Sequence, residues 1–302
     1  MIMDKLPSFF HMFANGDDAA NFIQSEDDFQ AAFNRVGVCA YKSNVTVLSF
    51  SIENSHSHKL LYGIEDFCYE FKDNYESSSK HYIARTRGSL DNVRLDYELQ
   101  RIDSEEYLRN VGTYSIIQPT KDGKRVMPYD YKWGTGSMYF RPKNTIPIWN
   151  IDEYGHECTP VRLKDLTARE REKILHTRFP VPGEWLVCNG ILLPSNYVDV
   201  QRFESIYRTP NCFRVFLSNS KDRDKIVLDS MSRARGITLE DLEARQICRE
   251  TALRLLNFTD IRKATIEQRL ALARVLRKEN NISYRQLSFL CRIPENELRK
   301  YL

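Results

Sequence analysis

The stretch Val45–His58, VTVLSFSIENSHSH, decides the fold and points to a site at its end. Its first part, residues 45–52, is rich in β-branched and apolar side chains, which is typical of a buried strand. Side chains two positions apart face the same side of a strand. If the extended backbone continues through the stretch, His56 and His58 present two imidazoles on one side, where both can bind one metal ion.

A second stretch, Tyr107–Pro119, has the apolar pattern of a helix. Asp103 can cap its start and Glu106 follows three positions later, a pair similar to a capping box. Pro119 disfavours helical geometry at Gln118 and therefore predicts that the helix ends there.

Tyr114 and Gln118 are four positions apart near the end of this predicted helix. Residues at that spacing are neighbours on one helix face. The helix therefore holds a phenol, which can act as a nucleophile, beside an amide oxygen, which can bind a metal ion.

Apolar periodicity in the first hundred residues predicts strands alternating with helices. The predicted strands are 8–15, 45–52, 59–62 and 93–99, and the predicted helices are 25–36 and 64–79. This β-α-β-β-α-β order is the ferredoxin-like plan. The predicted fold class is therefore α+β, a ferredoxin-like antiparallel sheet with helices, followed by an all-helical C-terminal part.

The two stretches, with three others in the same order, resemble the HUH single-tyrosine transposases, in particular the REP-associated tyrosine transposases. Phe10–Gly16 (FHMFANG) resembles the first strand of the family, and Arg87–Leu90 (RGSL) resembles its GsLf segment. Tyr129–Gly136 (YDYKWGTG) is similar to its closing segment. The resemblance covers roughly residues 8–140 and implies the HUH nuclease fold.

The resemblance also implies an activity, which is metal-dependent nicking and strand transfer on single-stranded DNA beside short hairpins. Tyr114 would be the catalytic nucleophile and would form a 5′-phosphotyrosine. His56, His58 and Gln118 would bind Mg²⁺ or Mn²⁺. Two imidazoles and one amide oxygen leave open positions on such an ion for the oxygens of a phosphodiester.

Sequence composition predicts how the chain divides into domains and where in the cell it is located. The 302 residues divide into a predicted catalytic domain at 1–145, a connector at 146–220 that packs on it, and a helical domain at 221–302. No run of about 18 apolar residues occurs, so we expect no membrane span. The seven cysteines lack CxxC pairs, which favours reduced thiols in a cytoplasmic, nucleoid-associated bacterial protein.

The positive charge is concentrated at the C-terminal end. Residues 221–302 hold 18 lysines and arginines against 12 aspartates and glutamates, whereas the whole chain has a net charge of +3. Ser283–Leu302 has a helix-turn-helix pattern in which Ser283 caps the first helix and Pro294 starts the second. On that second helix, Asn296, Arg299 and Lys300 are predicted to contact DNA.

Three further basic residues are predicted to bind DNA beside the site. Arg85 and Arg87 lie in the basic stretch 80–88, which can guide a single strand by its phosphates. Lys59, directly after the histidines, is predicted to contribute as well.

Two other functions remain open at this point. One is a non-catalytic DNA-binding protein derived from the same family, because Ser57 and Asn15 depart from the family's pattern. The other is an RNA-binding ferredoxin-like module, which is disfavoured because no RNP-type aromatic motif occurs. The oligomeric state also stays open, since relatives include monomers and homodimers that exchange the tyrosine helix.

Overall fold

The computed structural model describes residues 6–15, 22–54, 56–91, 93, 95–121, 126–142, 145–236 and 239–302. The chain forms two compact units, Met1–Val227 and Leu228–Leu302. This division lies seven residues after the predicted boundary at 220/221.

The first unit contains all of the β-strands in the described residues. Its elements are β1 (Ser8–Asn15), α1 (Glu26–Lys42), β2 (Thr46–Ile52), β3 (His56–Gly63), α2 (Glu65–Arg87), β4 (Glu98–Arg101), α3 (Glu105–Lys121), β5 (Val161–Arg162), α4 (Ala168–Leu175), β6 (Leu186–Cys188), β7 (Ile191–Leu192), α5 (Val200–Tyr207) and α6 (Pro210–Ser218). The helix α7 (Ser220–Arg235) follows and extends across the boundary between the units.

The main sheet has the strand order β2-β3-β1-β4, with every neighbouring pair antiparallel. Together with the order of elements along the chain, this is the ferredoxin-like topology. The predicted α+β fold class is therefore confirmed. The fourth strand is shorter than predicted and begins later, at Glu98.

The two faces of the sheet are covered by different helices, as alternation of side chains requires. Phe10, Met12 and Leu61 point into the main hydrophobic core, which they share with α1 and α2. On the opposite face, α3 packs across β2 and β3, and the Ser49 and Ser115 hydroxyls meet at 2.9 Å. The histidines of β3 lie on this second face, beneath α3.

Three helices differ from the sequence prediction at their ends, and the first of them, α1, continues to Lys42 instead of ending at Val36. The helix α2 continues to Arg87, and Gly88 ends it in the left-handed conformation that favours glycine (φ 78°). The helix α3 continues through Pro119 to Lys121, because a proline near a helix end removes only one backbone hydrogen bond of the last turn. At its start, Ser104 accepts the capping hydrogen bond from the Tyr107 N–H.

The segment 146–220 packs on the ferredoxin-like core through a three-stranded sheet, β5-β6-β7, and three helices. The buried Asn34 of α1 donates to Gly190 O and accepts from Leu192 N. The apolar run Phe213–Leu217 is helical, because Thr209 caps α6 and Pro210 occupies its first position.

The second unit is built from helices in the residues that the structure describes. These are the end of α7, α8 (Asp241–Leu256), α9 (Ile266–Asn280), α10 (Tyr284–Cys291) and α11 (Glu295–Tyr301). They enclose their own core, which includes Leu272, Leu276, Leu287 and Leu298. No helix among the described residues is both long and apolar enough to cross a membrane.

Candidate active site

His58 occupies the centre of the sheet face beneath α3. It stands opposite Phe13 in the β1–β3 ladder and is fully buried. His56 lies at the first position of β3, on the same face, and is half-buried. Ser57 between them points to the other face, where its hydroxyl donates to Ser51 O. The predicted side-by-side placement of the two imidazoles thus follows from strand geometry.

A chain of buried hydrogen bonds orients His58. Its Nδ1 lies 3.1 Å from Nε2 of His11 on β1, and Nδ1 of His11 lies 3.0 Å from the Tyr107 hydroxyl. Tyr107 in turn donates to Oε1 of Gln100 at 3.0 Å. Because the Tyr107 proton is directed at Gln100, His11 donates from Nδ1 and accepts at Nε2. His58 therefore carries its proton on Nδ1, which places the ring's lone pair on Nε2.

His11 is neutral throughout the physiological range. Burial, followed by the charge of Lys59, lowers its pKa to about 3. A neutral His11 can accept from His58, whereas an imidazolium could not. The hydrogen-bond chain is therefore compatible with one tautomer of His58.

Tyr114 is brought to His58 by α3. The two rings are perpendicular, with their centroids 5.1 Å apart. Gln118 lies one turn further along the helix, and its side chain lowers the pKa of Tyr114. Tyr114 is 4% exposed and Gln118 is 6% exposed. The close approach of α3 to α5 depends on Gly112, where a Cβ atom would collide with the Tyr207 hydroxyl.

The environment of Tyr114 raises the pKa of its hydroxyl to about 12. Burial is the largest cause, and the negative charges of Asp224 and Glu53 act in the same direction. The polar side chain of Gln118 and the positive charge of Arg223 lower it. The phenol is therefore protonated at neutral pH, and positive charge nearby favours its ionisation.

Arg223 is a further polar group of this region. It is 1% exposed, its Nη1 donates to Phe216 O and Leu217 O, and its Nε donates to Asp224. Its Nη2 has no hydrogen-bond partner among the described residues. A buried guanidinium with a spare donor is costly unless a partner is supplied.

Sequence reasoning did not single out His11, Tyr107 or Arg223. His11 and Tyr107 are separated by 96 positions, so no local spacing links them. The one usable signal is the alternation of side chains along a strand. His11 is two positions from Phe13 and so faces the same side of the sheet, and Phe13 pairs with His58. Arg223 looks like any other charge in a basic helix, and only the fold places it near Tyr114.

The side chains at this site form a donor set that suits a divalent cation. Within the described part of the chain, no three His, Cys, Asp or Glu side chains cluster as a metal site. The predicted set differs because its third donor is the amide of Gln118. Imidazole nitrogens and an amide oxygen are acceptable ligands for Mn²⁺, and the tautomer of His58 presents Nε2 as its ligating atom. The chemistry of these donors is therefore compatible with a divalent cation.

The prediction that Lys59 contacts DNA is wrong. Lys59 faces the α2 side of the sheet and is fully buried. Its Nζ donates to Ser57 Oγ and lies 4.1 and 4.5 Å from the ring centroids of Tyr75 and Tyr97. Burial lowers the pKa of this amine well below its usual range. A side chain one position from His58 necessarily points to the opposite face.

The two predicted arginines of α2 already have protein partners. Arg87 donates to Asp28 Oδ2 at 2.6 Å and to Phe22 O at 2.7 Å. Arg85 is exposed and lies 3.0 Å from Nδ1 of His176. Arg87 therefore helps to anchor the start of α1, and Arg85 remains accessible to solvent.

The predicted recognition helix is α11. Arg299 is largely held within the unit, since its Nε donates to Glu295 at 3.1 Å and its guanidinium lies 4.6 Å from the Tyr284 ring centroid. Lys300 is exposed. The side chain of Asn296 lies outside the described residues. Pro294 is the residue just before α11, so the helix begins at Glu295, one position later than predicted.

Comparisons with known proteins give one distant likeness. No family model matches the chain, and no curated protein matches it. Among solved structures, the chain is similar to a REP-associated tyrosine transposase bound to a REP hairpin. The two are 14% identical with a TM-score of 0.31, over 43% of this chain and 76% of that one. Similarity at this level indicates a distant relationship at most.

Proposed function

We propose that the chain is a transposase-like DNA nickase and strand transferase with an HUH-type site, acting on single-stranded DNA beside a hairpin. The observation that carries the proposal is the position of Tyr114. Its phenol packs against the imidazole of His58, and Gln118 follows one turn later on the same helix face, where its side chain lowers the pKa of the phenol. A potential nucleophile and two potential metal ligands thus meet on one face of the sheet.

His56, His58 and Gln118 would hold a divalent cation at this site. Such a cation polarises a phosphodiester and stabilises the charge that develops on its oxygens. His11 and Tyr107 would not bind the cation themselves. Their hydrogen bonds would hold the His58 ring in the tautomer that a metal ligand requires. Ligating histidines are commonly oriented in this way by a partner on the other ring nitrogen.

Tyr114 would perform the covalent step. Its oxygen attacks phosphorus and forms the Tyr–O–P bond, while the bond from phosphorus to the 3′ oxygen breaks. The phenol proton is lost and the departing oxygen gains one, so a 3′-hydroxyl is released. Attack by a 3′-hydroxyl of another end reverses these steps and joins the strands, since the phosphotyrosine conserves the bond.

Arg223 and Gln118 would support that step electrostatically. Both favour the phenolate over the phenol at Tyr114. The spare Nη2 donor of Arg223 can serve a phosphate oxygen, which would satisfy a buried charged group. The site therefore contains its own positive charge in addition to that of the cation.

A second candidate function is a DNA-binding protein that does not cleave. The observation in its favour is burial, because His58 is fully buried and Tyr114 is only 4% exposed. A phosphodiester must reach both for cleavage. In this alternative the chain binds hairpin DNA without forming a covalent bond.

The test is an assay for a covalent adduct. A labelled hairpin oligonucleotide with single-stranded flanks, taken from the DNA next to the chain's own gene, is incubated with protein in Mn²⁺ or with chelator. We expect an adduct that survives denaturing electrophoresis with Mn²⁺ only. Tyr114→Phe should abolish the adduct and keep DNA binding, whereas the exposed Tyr129→Phe, a matched control, should keep both.

Two outcomes separate the candidates. An adduct that persists in Tyr114→Phe would show that another residue is the nucleophile. Binding without any adduct in the wild-type protein would favour the non-cleaving alternative. Calorimetric titration of Mn²⁺ into the His56→Ala/His58→Ala double variant tests the ligands separately, and unchanged affinity would refute their assignment.

A further inference from the structure

The helical unit has an open cleft of about 790 Å³ between α8, α10 and the loop that follows α8. This volume lies within the range of ligand sites, which is about 300–1,000 Å³. Its lining includes four arginines, Arg245, Arg249, Arg262 and Arg292, which are all exposed. A cleft lined by charge of one sign concentrates ligands of the opposite sign.

The cleft is strongly positive because it holds little compensating negative charge. Asp260 accepts from Nε of Arg262 at 3.0 Å, so this pair is locally neutral. Asp260 is the one acidic residue among the described residues that line the cleft. Three guanidinium groups, of Arg245, Arg249 and Arg292, therefore remain to attract an anionic partner.

An exposed aromatic ring stands at the same cleft. Phe289 of α10 is 63% exposed, whereas its neighbour Leu290 is 9% exposed and belongs to the core. The guanidinium of Arg245 lies 5.3 Å from the Phe289 ring centroid. Aromatic rings beside arginines form platforms on which unpaired bases stack while the cations contact phosphates.

We propose that this arginine cleft binds single-stranded DNA, with an unpaired base stacked on Phe289 and phosphates on Arg245, Arg249 and Arg292. The choice of DNA as the nucleic acid rests on the proposed function, whereas the chemistry of phosphate and base rests on the cleft. This surface differs from the predicted α11 surface, where Arg299 is engaged with Glu295. Binding here involves no residue of the Tyr114 site.

The test measures binding by the full-length chain with chelator present, so that loss of cleavage cannot affect it. Fluorescence anisotropy of a labelled oligothymidylate is followed at several salt concentrations. We expect Phe289→Ala to weaken binding about 5- to 150-fold, the range for loss of one stacked base. Arg249→Gln should lower the slope of log affinity against log salt by about 0.7, the value for one phosphate on a single strand.

A matched control comes from the same unit. Lys278 of α9 is exposed and is not part of the cleft lining, so Lys278→Gln removes the same charge elsewhere. We expect its affinity and salt slope to equal those of the wild type. An equal loss of slope in Lys278→Gln would show that the charge effect is diffuse and would overturn the proposal.

Three further probes decide the class of ligand. An oligonucleotide with abasic positions should bind wild type and Phe289→Ala equally, since no base is left to stack; a difference between the two would overturn the stacking role. Tighter binding of oligouridylate than of oligothymidylate would assign the cleft to RNA. Competition by polyglutamate at equal charge concentration would make it a site for acidic peptides. Unchanged affinity in Phe289→Ala, with helical content retained by circular dichroism, would also refute the proposal.

Discussion

Replacement of Tyr107 by phenylalanine tests the hydrogen-bond chain that orients His58. The hydroxyl lies 3.0 Å from both His11 Nδ1 and Gln100 Oε1, and the side chain is 7% exposed. Phenylalanine keeps the ring, so no cavity forms and only the hydrogen bonds are lost. A buried donor deprived of its acceptor costs about 1–3 kcal/mol. We therefore expect the free energy of unfolding of the first unit to fall by about 1–3 kcal/mol.

Urea unfolding followed by tryptophan fluorescence measures this change selectively. The three tryptophans, Trp133, Trp149 and Trp185, all lie in the first unit. Tyr75→Phe is the matched control, because it removes a buried hydroxyl that donates to Ala32 O on the opposite face of the sheet. It should destabilise the same unit without affecting His58.

The tautomer of His58 provides a readout that a general loss of stability would not change. Without the Tyr107 hydroxyl, His11 can move its proton to Nε2 and donate to His58, which shifts the His58 proton to its own Nε2. Nitrogen NMR of the imidazole rings should show this shift in Tyr107→Phe and not in Tyr75→Phe. If His58 binds metal, Mn²⁺ affinity should fall about 10- to 100-fold. Unchanged stability together with an unchanged tautomer would refute the chain of hydrogen bonds.

Three other perturbations have definite expected outcomes. His11 has a pKa of about 3 in the folded chain and 6.5 as a free imidazole, so below pH 6.5 the unfolded chain binds a proton that the folded chain does not. Stability should therefore fall by about 1.4 kcal/mol per pH unit from 6.5 towards 3, and urea unfolding of His11→Gln at pH 7 and 5 should lack this contribution. Gly136→Ala should lower the unfolding free energy by about 1–3 kcal/mol, since its Cβ would collide with Pro128 O and lie 2.9 Å from the Ile116 side chain; an unchanged urea midpoint would contradict that packing. Asp28→Asn should lower the unfolding free energy by about 2–3 kcal/mol in the same assay. Burial raises the pKa of Asp28, but hydrogen bonds from the Gln24 backbone and from Arg87 outweigh it and hold the pKa below its usual value. These hydrogen bonds stabilise the ionised carboxylate, and the neutral amide of asparagine would lose that stabilisation.

Local geometry explains the parts of the molecule that the sequence alone determined. A strand repeats every two residues and a helix every 3.6, so each pattern assigns side chains to faces without knowledge of the rest of the chain. For this reason the β-α-β-β-α-β order was predictable. The same local geometry places His56 with His58, and Tyr114 beside Gln118.

Tertiary structure decided what covers each face of the sheet, and therefore which charged residues are buried or paired. Parity puts Lys59 on the face opposite His58, but only the packing of Tyr75 and Tyr97 over it makes it a buried amine. Arg87 is paired because Asp28, 59 positions away, meets it at the start of α1. A charged residue in a sequence carries no mark of the partner that will neutralise it.

The environment of Tyr114 depended on tertiary structure to the same degree. His11 reaches His58 because β1 lies beside β3, and Tyr107 reaches His11 because α3 packs on the same face of the sheet. Arg223 comes close to Tyr114 from the start of α7, more than a hundred positions later. Hydrogen bonds, burial and pKa shifts depend on distances in space, and for residues far apart in the chain those distances exist only once the sheet and its helices have packed together.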